Sequence, residues 1–241
     1  MAELFSADCS EQPLAARLAP KRLDEFTGQE HLLGPGKMLR RLIEASRFAS
    51  ALFFGPPGCG KTALARFIAE RSEAEVIELN AVSAGVADLK KVLEKAKYSF
   101  THLKQKTLLL IDEIHHFNRT QQDVLLPSVE RGDVLLIGLT TENPSFYVNA
   151  ALLSRFTAFE FNPLSEENLK TILARALTDQ ERGLGALNLE LAPEAAKHLT
   201  RMAAGDARKL LNAVELAALS TAPDIGGRRR ITLEVAEESI Q

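Results

Sequence analysis

The sequence has 241 residues, and its 29 Lys and Arg against 32 Asp and Glu give a formal net charge of −3. Hydrophobic residues make up 46% and charged residues 25%, which is typical of a globular chain that buries a core. No apolar stretch approaches the roughly 20 residues that span a bilayer, and the first thirty residues lack a signal-peptide pattern. The charge balance excludes a protein coated in basic residues. Two cysteines, Cys9 and Cys59, exclude a disulfide framework and fit a reducing cytosol, so we expect a cytoplasmic protein.

Between residues 51 and 161, short apolar segments alternate with segments of helical periodicity. The predicted strands are residues 51–54, 76–79, 107–111, 134–140 and 157–161. Helices are predicted over residues 61–71 and 120–130, and Pro127 is expected to kink or end the second of them. Strands that are apolar on both faces and separated by helices predict an α/β domain whose parallel five-stranded sheet is covered on both sides.

After Asn162-Pro163 only helical signals follow. Ser165 is a good cap for a helix whose first turn carries acidic residues. Pro193 suits the first position of a second helix, and Gly205 can end it. Asp206 can cap a third helix, and a short fourth one begins near residue 232. These signals predict a small all-helical domain.

The first predicted strand runs into a glycine-rich segment that matches the phosphate-loop pattern G-x-x-x-x-G-K-[ST]. Its residues are Gly55, Pro56, Pro57, Gly58, Cys59, Gly60, Lys61 and Thr62. Glycines let backbone N–H groups converge on phosphate oxygens at the positive end of the following helix. Lys61 supplies charge to the β and γ phosphates, and the Thr62 hydroxyl is placed to bind Mg²⁺. Cys59 contributes its backbone. The alternative is a Gly/Pro turn before an unrelated helix.

The third predicted strand ends in two adjacent acids, Asp112 and Glu113, which is the form of a Walker B motif. In that interpretation Asp112 holds Mg²⁺ through its water shell, and Glu113 orients and polarises the attacking water. A strand that simply ends in solvated acids is the alternative. Because this strand follows the phosphate loop with room for one βα unit between them, the pair predicts ATP hydrolysis with Mg²⁺.

Three stretches together resemble a known family. They are Gly55–Thr62, the Asp-Glu-Ile-His run at 112–115, and the Thr-Thr-Glu-Asn-Pro-Ser-Phe run at 140–146. The sequence is similar to AAA+ ATPases of the clamp-loader clade, and within it to the replication-associated recombination protein A family. That family is also called RarA or MgsA and has eukaryotic Werner-helicase-interacting homologues. RuvB-type motors share the first two stretches but not the third.

The resemblance implies roles for three further residues. Asn143 matches sensor 1, which helps to position the lytic water; the alternative is a turn residue at a strand end. Arg155 matches the arginine finger that reaches the γ-phosphate of a neighbouring subunit, whereas a lone Arg is otherwise a solvated side chain. Arg208 matches sensor 2 in a helical lid, with local pairing to Asp206 as the alternative.

The resemblance also implies a division of the chain and an assembly. We expect an N-terminal tail, an AAA+ nucleotide-binding domain and a helical lid domain, at residues 1–12, 13–163 and 164–241. Family members continue into a C-terminal domain that helps to assemble tetramers, so a homo-oligomer is expected of full-length members and is in doubt for a chain that ends at Gln241.

His116 stands where the family usually has Arg, which would weaken a DNA contact there. The pair His115-His116 does not by itself predict a metal site, because no third ligand clusters nearby.

The link to DNA comes from the family alone. The one basic run, at residues 228–230, is either a solvated loop or a loop that contacts phosphates. Tyr98 and Tyr147 are the only tyrosines and Trp is absent, so no aromatic stacking platform is evident. The resemblance implies single-stranded, gapped or fork-like DNA without sequence specificity, and single-strand-binding protein or a replication helicase as protein partners near the bacterial nucleoid.

We therefore expect a DNA-dependent AAA+ ATPase that acts in replication-fork maintenance, recombination and repair. A second hypothesis is a nucleotide-dependent interaction module that recruits replication or repair proteins with little turnover. A RuvB-like or clamp-loader-like motor subunit also fits the motifs. A small-molecule kinase is disfavoured, because the sequence has the sensor-like Arg208 and no evident acceptor pocket.

Overall fold

A computed structural model describes residues 12–240, so Cys9 and most of the predicted N-terminal tail lie outside the described residues. The strands are β1 (Ala51–Phe54), β2 (Glu75–Asn80), β3 (Thr107–Asp112), β4 (Val134–Thr140), β5 (Thr157–Glu160), β6 (Leu189–Leu191) and β7 (Arg229–Ile231). The α-helices are α1 (Leu14–Arg17), α2 (Glu30–Leu33), α3 (Met38–Glu44), α4 (Lys61–Glu70), α5 (Val86–Tyr98), α6 (Arg119–Arg131), α7 (Pro144–Tyr147), α8 (Ala150–Leu153), α9 (Glu166–Thr178), α10 (Pro193–Ala203), α11 (Ala207–Ser220) and α12 (Leu233–Ser239).

The described residues form two compact units. One, the α/β unit, contains residues 29–56 and 60–162. The other, the helical unit, contains the described residues up to 28, residues 57–59 and residues 163 onwards. The domain limits drawn from the sequence stay a prediction. Within residues 12–240, no helix combines the length and apolar character needed to cross a bilayer.

The α/β unit is built on a five-stranded parallel sheet in the order β2-β3-β4-β1-β5. This confirms the predicted fold class. The apolar strands β1, β3 and β4 lie inside the sheet, and nearly all their residues are buried. By contrast, β2 is an edge strand whose burial alternates along the chain, so only one of its faces is covered by the core. Because all five strands are parallel, their carboxyl ends meet at one edge, where ligands of such sheets bind.

One helix of the α/β unit differs from its prediction. Pro127 does not end α6, which continues to Arg131 and stops at Gly132 in the left-handed conformation. Proline removes one backbone hydrogen bond of a helix. Here the amphipathic packing of α6 outweighs that loss, because Leu125 and Ser128 on either side of Pro127 are buried. Helix α6 begins with a reciprocal cap in which Asn118 and Gln121 each accept the other's backbone N–H.

The helical unit confirms the predicted caps. The Ser165 hydroxyl accepts the N–H of Asn168 at 3.1 Å at the start of α9, and the Asp206 carboxylate accepts that of Lys209 at 2.9 Å at the start of α11. Pro193 occupies the first turn of α10. Ala204 and Gly205, both in the left-handed region, follow the end of that helix. Apolar faces of α1 and of α9 to α12 then pack into one core.

The helical unit also contains a feature that the sequence does not predict. Strands β6 and β7 pair in parallel, so the basic run is only partly a loop. The Arg228 guanidinium lies 3.0 Å from the Glu190 carboxylate, that of Arg230 lies 3.7 Å from it, and Arg229 donates to the Thr221 carbonyl. The three arginines are thus engaged by their own unit, which favours a structural role over a phosphate-contacting loop.

Candidate nucleotide site

The loop between β1 and α4 has the backbone that a phosphate cradle needs. Gly55 has a φ of 140°, and a Cβ there would lie 2.1 Å from the Phe161 carbonyl oxygen, so only glycine fits. Gly60, directly before α4, has a φ of 102° and open space where a Cβ would be. The loop therefore delivers the backbone to the N-terminus of α4 in a conformation that glycine adopts without strain, with room for a ligand at its end. Phosphate groups fit such a site.

Lys61 begins α4 and is almost fully buried. Its Nζ donates hydrogen bonds to the carbonyl oxygens of Gly55 and Pro56 at 2.6 and 2.7 Å. The ammonium group thus lies inside the curve of the loop, which is where a negatively charged ligand on the loop would meet it. Thr62 follows in the first turn of α4. Both residues occupy the positions that their predicted roles require, and the roles themselves stay predictions.

Asp112 is the last residue of β3 and is partly exposed. Arg66 of α4 forms a two-pronged ion pair with Glu78 of β2, at 3.2 and 2.9 Å. The hydrogen bond to Glu78 raises the pKa of Arg66, and the charge of Asp112 adds to the effect. Asp112 therefore lies near the end of a side chain that α4 carries, and its share in a Mg²⁺ site with Thr62 stays a prediction.

Glu113 directly follows β3 with φ 53° and ψ 46°, a left-handed conformation that costs energy in a residue other than glycine. One carboxylate oxygen, Oε2, is buried, and no hydrogen bond reaches it from residues 12–240. The imidazole of His115 lies beside it, with Nδ1 at 3.3 Å from that oxygen. A strained backbone that carries a buried, under-satisfied carboxylate is more typical of a functional site than of a solvated strand end.

Asn143 and Thr140 lie where β4 leaves the sheet. The Asn143 side-chain oxygen accepts the N–H of Ser145 at 3.0 Å and caps the short helix α7. This cap occupies the amide oxygen, so a bound ligand would be met by the amide nitrogen. Thr140, the last residue of β4, is buried, and its hydroxyl lies 2.9 Å from His115 Nδ1.

Arg155 follows α8 and is about two-fifths exposed. Its guanidinium lies 2.6 Å from the Glu130 carboxylate of α6 and donates to the Ser154 hydroxyl at 2.6 Å. An arginine finger must reach another subunit, so this ion pair would have to open first. Exposed pairs of this kind contribute little to stability and break easily.

Arg208 belongs to the helical unit, on the second residue of α11. It lines an open cavity of about 400 Å³ together with Asp206, Lys209, Asn212, Leu216 and Ile240. The Asp206 carboxylate accepts the backbone N–H of Lys209, so its main contact is a helix cap rather than pairing with Arg208. The sensor 2 role of Arg208 stays a prediction.

Sequence patterns assign no site role to two residues near the candidate base. His115 occurs in a motif and as half of a His pair, and Thr140 is a strand end and the first residue of the run at 140–146. In the structure His115 lies beside Glu113, and Thr140 lies beside His115. The signal that could have found them is position, because each stands at or next to the carboxyl end of an inner strand. No group of three or more His, Cys, Asp or Glu that could hold a metal lies within residues 12–240.

Comparison with known proteins places this site in a family. The profile of the ATPase family associated with various cellular activities (AAA) matches residues 51–164, and that of an AAA C-terminal domain matches residues 185–241. Replication-associated recombination protein A of Coxiella burnetii is 48% identical over 86% of this chain, and that of Escherichia coli is 40% identical over 96%. The chain belongs to the replication-associated recombination protein A family of AAA+ proteins. ATPase WRNIP1 of Dictyostelium discoideum is 43% identical over 85% of the chain.

The AAA+ fold is also found among solved structures. The RuvB Holliday junction branch migration motor of Thermotoga maritima matches with a TM-score of 0.69 and 25% identity, over 92% of this chain and 72% of that one. The AAA+ chain spans about half the length of its bacterial relatives, 46% of the Coxiella protein and 52% of the Escherichia protein. The AAA profile includes the phosphate loop, the Asp112-Glu113 pair, Asn143 and Arg155, and nucleotide binding is the property that this domain implies.

Proposed function

We propose that this chain hydrolyses ATP to ADP and phosphate with Mg²⁺, and that DNA at stalled forks or gaps controls the reaction. The observation that carries the proposal is the meeting of a phosphate loop and an under-satisfied glutamate at the carboxyl edge of one parallel sheet. Lys61 and the loop amides would hold the phosphates, and Thr62 and Asp112 would hold Mg²⁺. When bound, Mg²⁺ neutralises charge that develops on the phosphate oxygens.

The protein's own residues divide the remaining work. Glu113 would accept a proton from the attacking water, and Asn143 would hold that water in line. Arg155 would act on the nucleotide of a neighbouring subunit, where a positively charged finger accelerates hydrolysis by about 10³-fold or more. Arg208 would contact the phosphates from the lid. This arrangement requires a homo-oligomer.

The DNA part of the proposal is supported by the relatives. Proteins named replication-associated recombination protein A match nearly the whole chain, and the structurally similar RuvB is a Holliday junction branch migration motor. We infer contacts to single-stranded, gapped or fork-like DNA without sequence specificity, in the cytoplasm at the bacterial nucleoid. Single-strand-binding protein or a replication helicase would be the protein partner.

A second candidate is a nucleotide-dependent interaction module that turns over slowly. The pairing of Arg155 with Glu130 in the same chain is the observation behind it, because the finger reaches a neighbour only after this pair opens. The two candidates differ in how turnover responds to assembly and to DNA.

Phosphate release from ATP with Mg²⁺, measured across protein concentration with and without single-stranded and gapped DNA, separates the two candidates. A DNA-coupled oligomer shows a rate per subunit that rises with protein concentration and rises again with DNA. A low rate that neither variable changes contradicts the DNA-coupled motor and supports the interaction module. ATP consumption that depends on a small acceptor molecule would contradict both.

A further inference from the structure

The carboxylate of Glu113, the proposed base, is poorly held in position. Glu113 has a left-handed backbone, and its Oε2 is buried and receives no hydrogen bond from the described residues 12–240. A carboxylate in this state can rotate between orientations, and a base must be fixed to act on one water. A neighbouring group is therefore needed to hold it during the reaction.

His115 is the group in position to do so. Its Nδ1 lies 2.9 Å from Thr140 Oγ1 and 3.3 Å from Glu113 Oε2, and its side chain is only 13% exposed. Thr140 Oγ1 accepts the Glu142 N–H at 2.9 Å and donates to the Glu142 carbonyl at 3.3 Å. Because the hydroxyl proton is used there, we assign the imidazole proton to Nδ1, from which it points at Thr140 with Glu113 beside it.

The plane of this imidazole is also fixed. The ring of His116 lies against it with a centroid distance of 4.3 Å, and the ring of Tyr147 meets it edge-on at 5.8 Å. With two rings and the Thr140 hydroxyl around it, His115 has little freedom to turn its Nδ1 elsewhere.

Thr140 connects this group to the phosphate loop. It pairs with Phe54 across the sheet, and its carbonyl oxygen accepts the Gly55 N–H at 3.3 Å. One residue thus touches the first glycine of the loop through its backbone and the neighbour of the base through its side chain. A shift of the loop on binding a nucleotide would reach Glu113 through only two side chains.

We propose that His115, held in place by Thr140, is the positioning residue of Glu113. Its Nδ1–H donates to Thr140 Oγ1 and lies beside Oε2, which it attracts electrostatically without a hydrogen bond, so that the other carboxylate oxygen takes the proton of the attacking water. This inference rests on the proposed ATP hydrolysis and adds to it a residue and a route from the phosphate loop to the base.

The test compares His115→Ala and Thr140→Val with the matched variants His115→Asn and Thr140→Ser. Asn can place an N–H near the position of Nδ1, and Ser keeps the hydroxyl. We expect His115→Ala and Thr140→Val each to lower kcat about 10- to 100-fold, as misplacement of a reacting group does, with ATP affinity within twofold of wild type. His115→Asn and Thr140→Ser should recover most of the lost rate. The double variant should lose no more than the worse single one, because both act through one contact.

Three results would overturn the inference. They are a wild-type kcat in folded His115→Ala, weakened ATP binding at unchanged kcat, and losses that multiply in the double variant. Thermal unfolding of each variant identifies those that fold, and Thr140→Val carries the test if His115→Ala does not fold. A Glu113→Gln reference separates the two levels of the account. If it turns over as fast as wild type, the proposed base is wrong. If it is inactive while His115→Ala is unaffected, only the positioning role is wrong.

Discussion

Two charged regions of this chain, the N-terminal segment of the helical unit and the candidate site of the α/β unit, are built differently. In the helical unit, the Arg17 guanidinium pairs with the Glu215 carboxylate at 2.9 Å, and the same carboxylate accepts the Leu14 N–H. Arg175 donates to the carbonyls of Leu18 and Glu25, and its burial lowers its pKa. These charged groups tie the N-terminal segment to the helices.

In the α/β unit, the charged residues of the candidate site gather at one sheet edge. Lys61 is turned into a backbone loop, and Glu113 keeps a buried oxygen without a hydrogen bond from residues 12–240. Buried atoms without a hydrogen bond to the described part of the chain also occur in the helical unit, at Arg17 Nε and Arg175 Nε, but both of those guanidinium groups are bonded through another nitrogen. The comparison teaches that the charges around Arg17 and Arg175 hold segments of the helical unit together, whereas those of the candidate site are placed for a ligand. Substitutions should therefore affect stability at the first place and chemistry at the second.

In the α/β unit, Lys61→Ala should have the largest effect on ATP binding. Removing a charge-assisted contact to phosphate should weaken ATP binding by about 10- to 100-fold, since such contacts contribute about 1.5–3 kcal/mol. The free energy of unfolding should change little. Titration with a fluorescent ATP analogue measures the first quantity and denaturant unfolding the second. Lys90→Ala, on the exposed face of α5, is the matched control and should bind ATP like wild type.

In the helical unit, Glu215→Ala should lower the free energy of unfolding by about 2 kcal/mol or more, because it leaves a largely buried Arg17 without its partner. ATP affinity should stay close to the wild-type value. Glu167→Ala is the control, because Glu167 and Lys170 form an exposed pair three residues apart on α9. Equal losses of stability in the two variants would break the comparison between buried and surface charge.

The smallest expected effect is a pH dependence at Asp179. The backbone N–H groups of Arg182 and Glu181 bond its carboxylate and lower its pKa, despite the opposing effect of burial. A lowered folded-state pKa stabilises the protein above the unfolded value of about 4, and this stability is lost as pH falls through the folded value. Asp179→Asn keeps an oxygen acceptor but not the charge. It should unfold more easily than wild type at pH 7 and equally easily near pH 2, in thermal melts at both values.

The sequence predicts those parts of the structure that depend on residues close together in the chain. The inner strands, the phosphate loop and the caps at Ser165 and Asp206 each depend on neighbouring residues, and the structure confirms the strands and the caps. Contacts between distant segments could not be read in this way. Arg17 and Glu215 lie 198 positions apart, and Thr140 and His115 lie 25 apart on different elements.

Sequence patterns also fail to predict very short strands and a helix that continues through a proline. Strands β6 and β7 are three residues long, and β7 is mostly arginine, so neither has the apolar run that predicts a strand. Pro127 does not end α6, which was one of its two predicted effects, because burial of α6 on both sides of it decides the outcome. The roles of Asn143, Arg155 and Arg208 depend on a nucleotide or a second subunit, which no single-chain pattern determines.

The most direct test of the account is the rate of phosphate release by Glu113→Gln beside its affinity for ATP. The α/β unit reserves this carboxylate for chemistry, so we predict ATP binding within about twofold of wild type and turnover reduced by about 10²-fold or more, the usual contribution of a general base. Wild-type turnover in a folded Glu113→Gln protein would contradict the account, because the under-satisfied glutamate would then have no part in hydrolysis.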